Sequence, residues 1–339
     1  MKQQLLFLLF VLASFCSMAQ ENDPRKLQET ARTFMRQGDY SNAVIVLTRA
    51  NQISPDNLEI LKDLAFCHYL KKDYASAIQV AKPLAERKDI DVQGYQITAL
   101  IYKAMEDRKE CERLYRAGIK KFPASGVLYN EYGEMLWTKK EFTEAVKNWE
   151  KGIEMDPNYA GNYYNAAKYY YFSADKFWGL IYGEIFVNME SYSDRTIEIK
   201  KMLLDGYKKL YTGDDFYKGQ DTKNSFVSTC LDLYKKHGGL VTNGITPESI
   251  TKLRTRFILD WYANGNNTRF AFRLFDHHQQ LLKMGYFEAY NQWLLGASAS
   301  LPSYQMWTNT HEEENKEFLR LQQNRLFKVP QGQYYQTRM

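Results

Sequence analysis

Two short stretches of this 339-residue chain gather side chains that could do chemistry. Asp276-His277-His278 offers a carboxylate and two imidazoles, and Cys67-His68 a thiol beside a base. Neither has the spacing its chemistry needs. Neighbours on a helix point about 100° apart, so the two histidines cannot share a metal ion; a zinc-binding pair sits three or four residues apart. His311 is followed by three glutamates, but Asn315 stands where a second histidine would complete His-Glu-x-x-His. The stretch 276–278 therefore reads as helix surface with one half-buried imidazole, and no metal site is expected. Cys67 and His68 diverge in the same way. No Gly-x-Ser-x-Gly turn and no glycine-rich phosphate loop occurs, and Gly238-Gly239 reads as a helix stop. The residues name no reaction, so neither an enzyme nor a cofactor is expected.

The elements that carry these residues follow one period. Ala31, Ala65, Ala99 and Gly133 are spaced by 34, as are Ala43, Ala77, Cys111 and Ala145. Pro55, Pro123 and Pro157 keep the same phase, and Gly38-Asp39-Tyr40 returns as Lys72-Asp73-Tyr74 and Lys140-Glu141-Phe142. Each unit offers two helical segments of about a dozen residues that cross at the small positions. Phe34, Tyr102, Tyr115 and Trp149 fill the space around the crossings, and proline ends the unit because it cannot continue a helix. One such hairpin cannot bury its apolar face alone, so neighbours must stack. Asp23 is a plausible N-cap, with Pro24 at the first helical position.

This pattern resembles the tetratricopeptide repeat, clearly over residues 24–157 and weakly to about 191. It departs at Asp89, where proline is usual, and at His68, where an aromatic is usual. The resemblance implies an all-α chain: a tetratricopeptide-type α-solenoid over 20–191, with four clear repeats and a degenerate fifth, then a helical C-terminal capping region over 192–328. Ala167 and Gly179 extend the two small series into the fifth unit, whose second helix (Phe177, Trp178, Leu180, Ile181, Ile185, Phe186) is too apolar to leave in water. A helix over 196–210, with Ile197, Ile199, Met202, Leu203, Tyr207 and Leu210 as core positions, should cover it. Further helices are predicted over 226–236, 247–263, 269–284, 286–295 and 302–326. Thr246 and Pro247 start one of them, with Ser249 where a capping box would place an acid. The tail 329–339 reads as flexible.

In tetratricopeptide proteins the first helix of each unit lines a ligand-binding face. By phase, that face here includes Arg25, Gln28 and Arg32, then Lys62 and Tyr69, Gln96, Asn130 and Trp137, and finally Tyr164, Lys168 and Tyr171. It is basic at its start and aromatic at its end, which suits an extended peptide whose backbone amides are held by Asn and Gln. The family's carboxylate clamp of Lys and Asn is not reproduced. The C-terminal half of the chain could also cover the face.

Residues 1–19 read as a secretory signal peptide: Lys2, the apolar run 5–12, then Ser17-Met18-Ala19 before Gln20. The run is too short to span a bilayer, which takes roughly 20 residues, and Phe15 is bulky for the position before a lipidated Cys16. Cleavage after Ala19 leaves Cys67, Cys111 and Cys230, an odd set that cannot be fully paired within one chain; Cys111, at a small packing position, reads as a buried free thiol, and a disulfide scaffold is not expected. The Ala-Gln junction and the aromatic-rich mature chain resemble exported proteins of Bacteroidota, which implies the periplasm or secretion. The net charge of +5 is mild and its signs are interspersed, so nucleic acid is not an expected partner. No transmembrane segment is expected. The reading is an exported scaffold that binds a protein or peptide in the cell envelope. The alternative is a protein that binds a small ligand or glycan on the aromatic residues of the groove.

Overall fold

A computed structural model of the chain describes residues 23–212 and 215–336. The signal segment 1–19 lies outside the described residues. The regular secondary structure is all helical, with no strand among the described residues. It divides into two compact units that part between Pro123 and Ala124.

The first unit holds three helical hairpins: α1 (Pro24–Arg36) with α2 (Tyr40–Ile53), α3 (Leu58–Leu70) with α4 (Tyr74–Ala85), and α5 (Val92–Ala104) with α6 (Arg108–Lys121). Each crossing closes on the small residues of the period, and Ala31, Ala43, Ala65, Ala77 and Ala99 are fully buried. Around them pack Leu47, Ile60 and Leu64 in one cluster, and Ile97 and Ile101 in the next. Cys67 and Cys111 are buried as free thiols, and each sulfur donates to a backbone carbonyl, of Tyr40 and Ala99. Burial pushes the Cys67 thiol up to about 11.

The turn inside each hairpin has one construction. Gly38, Lys72, Glu106 and Lys140, spaced by 34, all take positive φ, between 59° and 78°. The next residue donates its amide back five positions (Asp39 to Phe34, Asp73 to His68, Asp107 to Tyr102, Glu141 to Leu136), closing a Schellman motif. In the first three turns the same aspartate then caps the following helix, accepting from the amides of Asn42, Ser76 and Glu110. Two helix ends are thus satisfied by one residue pair. Only the first turn has glycine at the left-handed position, where a side chain costs roughly 1 kcal/mol. Lys72→Gly should raise stability by about 0.5–1 kcal/mol, and Gly38→Val should lower it by at least about 1 kcal/mol. Chemical denaturation of the two variants checks this; a destabilised Lys72→Gly would show that the lysine side chain makes a compensating contact.

The second unit opens with two more hairpins, α7 (Gly126–Thr138) with α8 (Phe142–Met155), and α9 (Ala160–Phe172) with α10 (Lys176–Met189). Gly133 replaces alanine because the Trp149 indole occupies the space: a Cβ there would lie 2.3 Å from Nε1. Then come α11 (Asp194–Tyr211), α12 (Ser225–Lys236), α13 (Pro247–Ala263), α14 (Arg273–Met284), α15 (Phe287–Asn291, running into a π-turn Gln292–Gly296), α16 (Leu301–Thr310) and α17 (Glu312–Gln323). As expected, α11 lies directly on α10, with Ile199 and Leu203 against Gly183 and Leu180 against Gly206. Phe177 and Trp178 of α10 meet Phe226 of α12. The fifth hairpin therefore shares a core with the C-terminal helices.

Several local expectations change. Ile197 is exposed, because Ile199, Leu203 and Tyr207 define the buried stripe and residue 197 lies two positions off it. Thr246 does have a capping box: Ser249 supplies the returning side chain that an acid usually supplies. The predicted 302–326 helix breaks at His311 into α16 and α17. Both His277 and His278 are buried rather than one half-exposed. The tail is not free over 329–336: Val329 is 3% exposed and exchanges two hydrogen bonds with Asn158. Its composition is polar, but its partners lie some 170 residues away in sequence, where composition has no view of them.

Candidate peptide-binding face

In the first unit the inward residues of α1, α3 and α5 are tied to one another. Asp63 accepts from Gln28 Nε2 at 2.6 Å and from Arg32 Nε at 2.7 Å. Lys62, expected on the open face, is only 2% exposed, and its ammonium reaches Asp91 and Glu59, each at 2.6 Å. Burial alone would lower the Lys62 ammonium, but the two carboxylates more than offset this and hold it above the usual lysine value. Asp91 also caps α5 through the Gly94 amide, so the ion pair is fixed at both ends. Gln28 and Lys62 are therefore struts between repeats and not ligand contacts. Arg25 is exposed, while Gln96 and Tyr69 are half-buried. Tyr69 stacks on Phe66 and leans on Tyr74, with centroids 6.0 and 5.9 Å apart.

In the second unit Asn130 is buried as well. It donates to Glu134 at 3.0 Å, accepts from Asn165 at 2.9 Å, and its carbonyl receives the Trp149 indole at 3.2 Å. Tyr164, Lys168 and Tyr171 are engaged by α11. The Tyr164 hydroxyl donates to Glu198 at 2.5 Å, the Lys168 ammonium pairs with Glu198 at 2.8 Å, and Tyr171 donates to Asp205 at 2.7 Å. Arg195 and Lys209 cover the Tyr164 and Tyr171 rings at 4.9 and 4.0 Å. The chain's own helix thus occupies this end of the face. Glu198 and Asp205 stand 34 residues after Tyr164 and Tyr171, and α11 starts 34 after α9. That continued period was the signal in the sequence for both acids.

What stays open is Trp137, 39% exposed, with Phe142, 44% exposed. Their rings meet edge-on at 4.6 Å, and Trp149 packs beneath Trp137 at 5.7 Å. The Trp149 indole is fixed by its bond to Asn130, so the platform is held rigid from below. Glu134, one turn before Trp137 on α7, accepts from Asn165 at 3.2 Å.

A polar cluster that sequence reasoning missed lies deeper in this unit. Glu184 of α10 accepts from Arg254 of α13 and from the Tyr290 hydroxyl at 2.7 Å, with His278 Nε2 2.8 Å away. Arg254 also donates to Asn291, and Asn188 donates to Tyr290 at 2.7 Å. Burial alone would raise the Glu184 carboxyl, yet the guanidinium and imidazole beside it hold it down at about 2. Burial and the same guanidinium keep His278 below the usual histidine value. The sequence signal was Glu184 itself, the one charge inside an apolar helix whose other charged residue, Lys176, stands at its first position. Among the described residues, no group of three or more His, Cys, Asp or Glu is placed to hold a metal ion. No described helix is long and apolar enough to cross a membrane.

Comparison with known proteins agrees with the helical-repeat architecture. Residues 34–101 and 127–159 each match a family model of the tetratricopeptide repeat. No protein of curated function matches the chain. Among solved structures, TTC0263, a thermophilic tetratricopeptide protein of Thermus thermophilus, is 15% identical; the match covers 54% of this chain and 100% of that one, with a TM-score of 0.44. YrrB, described as a tetratricopeptide protein with an unusual peptide-binding site, is 13% identical over 56% and 97% of the two chains, at 0.40. MamA of Desulfovibrio magneticus is 11% identical over 57% and 97%, at 0.38.

Proposed function

We propose that this chain is an exported helical-repeat scaffold that holds a protein or peptide partner in the cell envelope, with the Trp137–Phe142 pair as its main contact. The observation that carries this reading is a large aromatic pair left exposed and pre-organised on a hairpin end. Interface energy concentrates on such rings, and Trp is among the residues most enriched at hot spots. Rigid support from Trp149 reduces the ordering cost of binding. The matched repeats are of a kind that presents surfaces, and no catalytic family matches. Export rests on the composition of residues 1–19.

The test is affinity capture from envelope extract with the full mature protein and with Trp137→Ala. A protein recovered with the wild type should fall by at least about ten-fold with the variant, while thermal melting stays cooperative and Trp137→Phe retains much of the capture. Capture indifferent to Trp137→Ala sinks the reading. The exposed indole face beside Glu134 and Asn165 also has the make-up of a sugar-stacking platform. Glycan binding that depends on Trp137, with no protein captured, would favour that second reading.

A further inference from the structure

Residues 329–336 have no helix or strand of their own, yet the second unit holds them along their length. Asn158 reads the backbone of Val329 in both directions, donating to its carbonyl at 3.1 Å and accepting from its amide at 3.0 Å. Asn224 donates to the Tyr335 carbonyl at 2.6 Å. Gln331 reaches back to the Met155 carbonyl, an open acceptor at the end of α8. The Tyr335 ring stacks on Phe226 at 4.6 Å, and Gln336 donates to the Tyr170 hydroxyl, which in turn donates to Glu150. Side-chain amides on the main chain and pockets for alternate side chains are how a folded protein grips an extended peptide. The grip is uneven: Val329 is buried and 333–336 are half-buried, whereas Pro330, Gln331 and Gly332 are exposed. A segment held by side chains, with no helix or sheet ladder of its own, opens without unfolding the rest.

The groove does not stop at Gln336. It continues into a cleft of about 470 Å³ lined by Tyr169, Ser173, Asp175 and Lys223, with Gln336 at its edge. Asp175 is among its lining residues, and burial raises its carboxyl to about 6.

We propose that this groove is a peptide-binding site filled in the resting state by the chain's own tail. Its exchangeable ligand is an extended segment of another protein with the same pattern: a β-branched apolar residue, an aromatic six positions later, and glutamine next. The site is separate from the Trp137 platform and does not rest on it.

The probe is a labelled peptide with the sequence of residues 328–339, added to the full chain. Val329→Asp with Tyr335→Ala frees the groove in cis, so this protein should bind the peptide at least about ten-fold tighter than the wild type, whose tethered tail competes at high effective concentration. Adding Asn158→Ala or Asn224→Ala should remove the gain. Val329→Asp or Tyr335→Ala in the peptide should weaken binding. Equal binding to both proteins, or none to a double variant that still melts cooperatively, overturns the proposal. Hydrogen exchange on the unmodified protein decides the matter independently of any variant. The Val329 amide should exchange at least about 100-fold faster than core amides of α13; exchange at the same rate would mean that the tail leaves only when the unit unfolds.

Discussion

Arg254→Met should destabilise the second unit by about 3–5 kcal/mol, because it leaves the Glu184 carboxylate buried without a counter-charge. Glu184 and Arg254 are 3% and 1% exposed, and the remaining neighbours, His278, Tyr290 and Asn188, are neutral. The pH dependence identifies the cause. In the wild type the Glu184 carboxyl lies near 2, below its unfolded value. Its contribution is therefore present above the ordinary carboxylate range, about 4.3, and lost as pH falls towards 2. In the variant, burial dominates and the carboxyl rises above its unfolded value, so the penalty is greatest at neutral pH and shrinks as the group takes up a proton. The gap between variant and wild type should thus narrow from pH 7 to pH 4.5. Adding Glu184→Gln should recover much of the loss. All six tryptophans lie in the second unit, so urea unfolding followed by tryptophan fluorescence reports on that unit alone. A gap of the same size at both pH values would mean that lost packing, and not the stranded charge, is responsible.

Phe226→Ala should cost a comparable 3–5 kcal/mol by a different route. The ring is 1% exposed and sits among Trp178, Trp261, Phe270, Phe272, Phe275 and Tyr335, with centroids 4.6 to 6.1 Å away. Rings this large cannot all move in to fill the space, so the loss of transferred area adds to a residual cavity. Phe226→Leu keeps most of the volume and should cost less than about half as much. Near-ultraviolet circular dichroism should lose intensity in the alanine variant even where the far-ultraviolet helix signal is retained. A variant within about 1 kcal/mol of the wild type would mean that the cluster repacks freely.

The repeat architecture was legible because its causes are local. A small residue at a crossing, a proline after a helix and an aspartate in a turn each act over a few positions, and the period repeats them. The docking of α11 was legible too, since the apolar face of α10 had to be covered. What could not be read was pairing between distant side chains. Lys62 looks like a surface lysine until Asp91 and Glu59 are seen to enclose it. Glu184, Arg254 and His278 are spread over 94 residues, and no periodicity joins them. Phase alone puts Tyr164, Lys168 and Tyr171 on one helix face, but their engagement by Glu198 and Asp205 required extending the period one step further.

The three cysteines carry a consequence for how long the molecule lasts. Cys67, Cys111 and Cys230 are enclosed in the core, and burial keeps the first and last as protonated thiols. Protonated and enclosed, they are out of reach of peroxide and of other thiols. Each excursion to the unfolded chain ends that protection. A sulfenic acid or a mixed disulfide formed then could not return to the Ala43, Ala77 and Ala145 type of position that Cys111 occupies. In an oxidising medium, unfolding becomes a one-way step, and the lifetime of the protein is set by how rarely its hairpins open and not by the depth of its equilibrium.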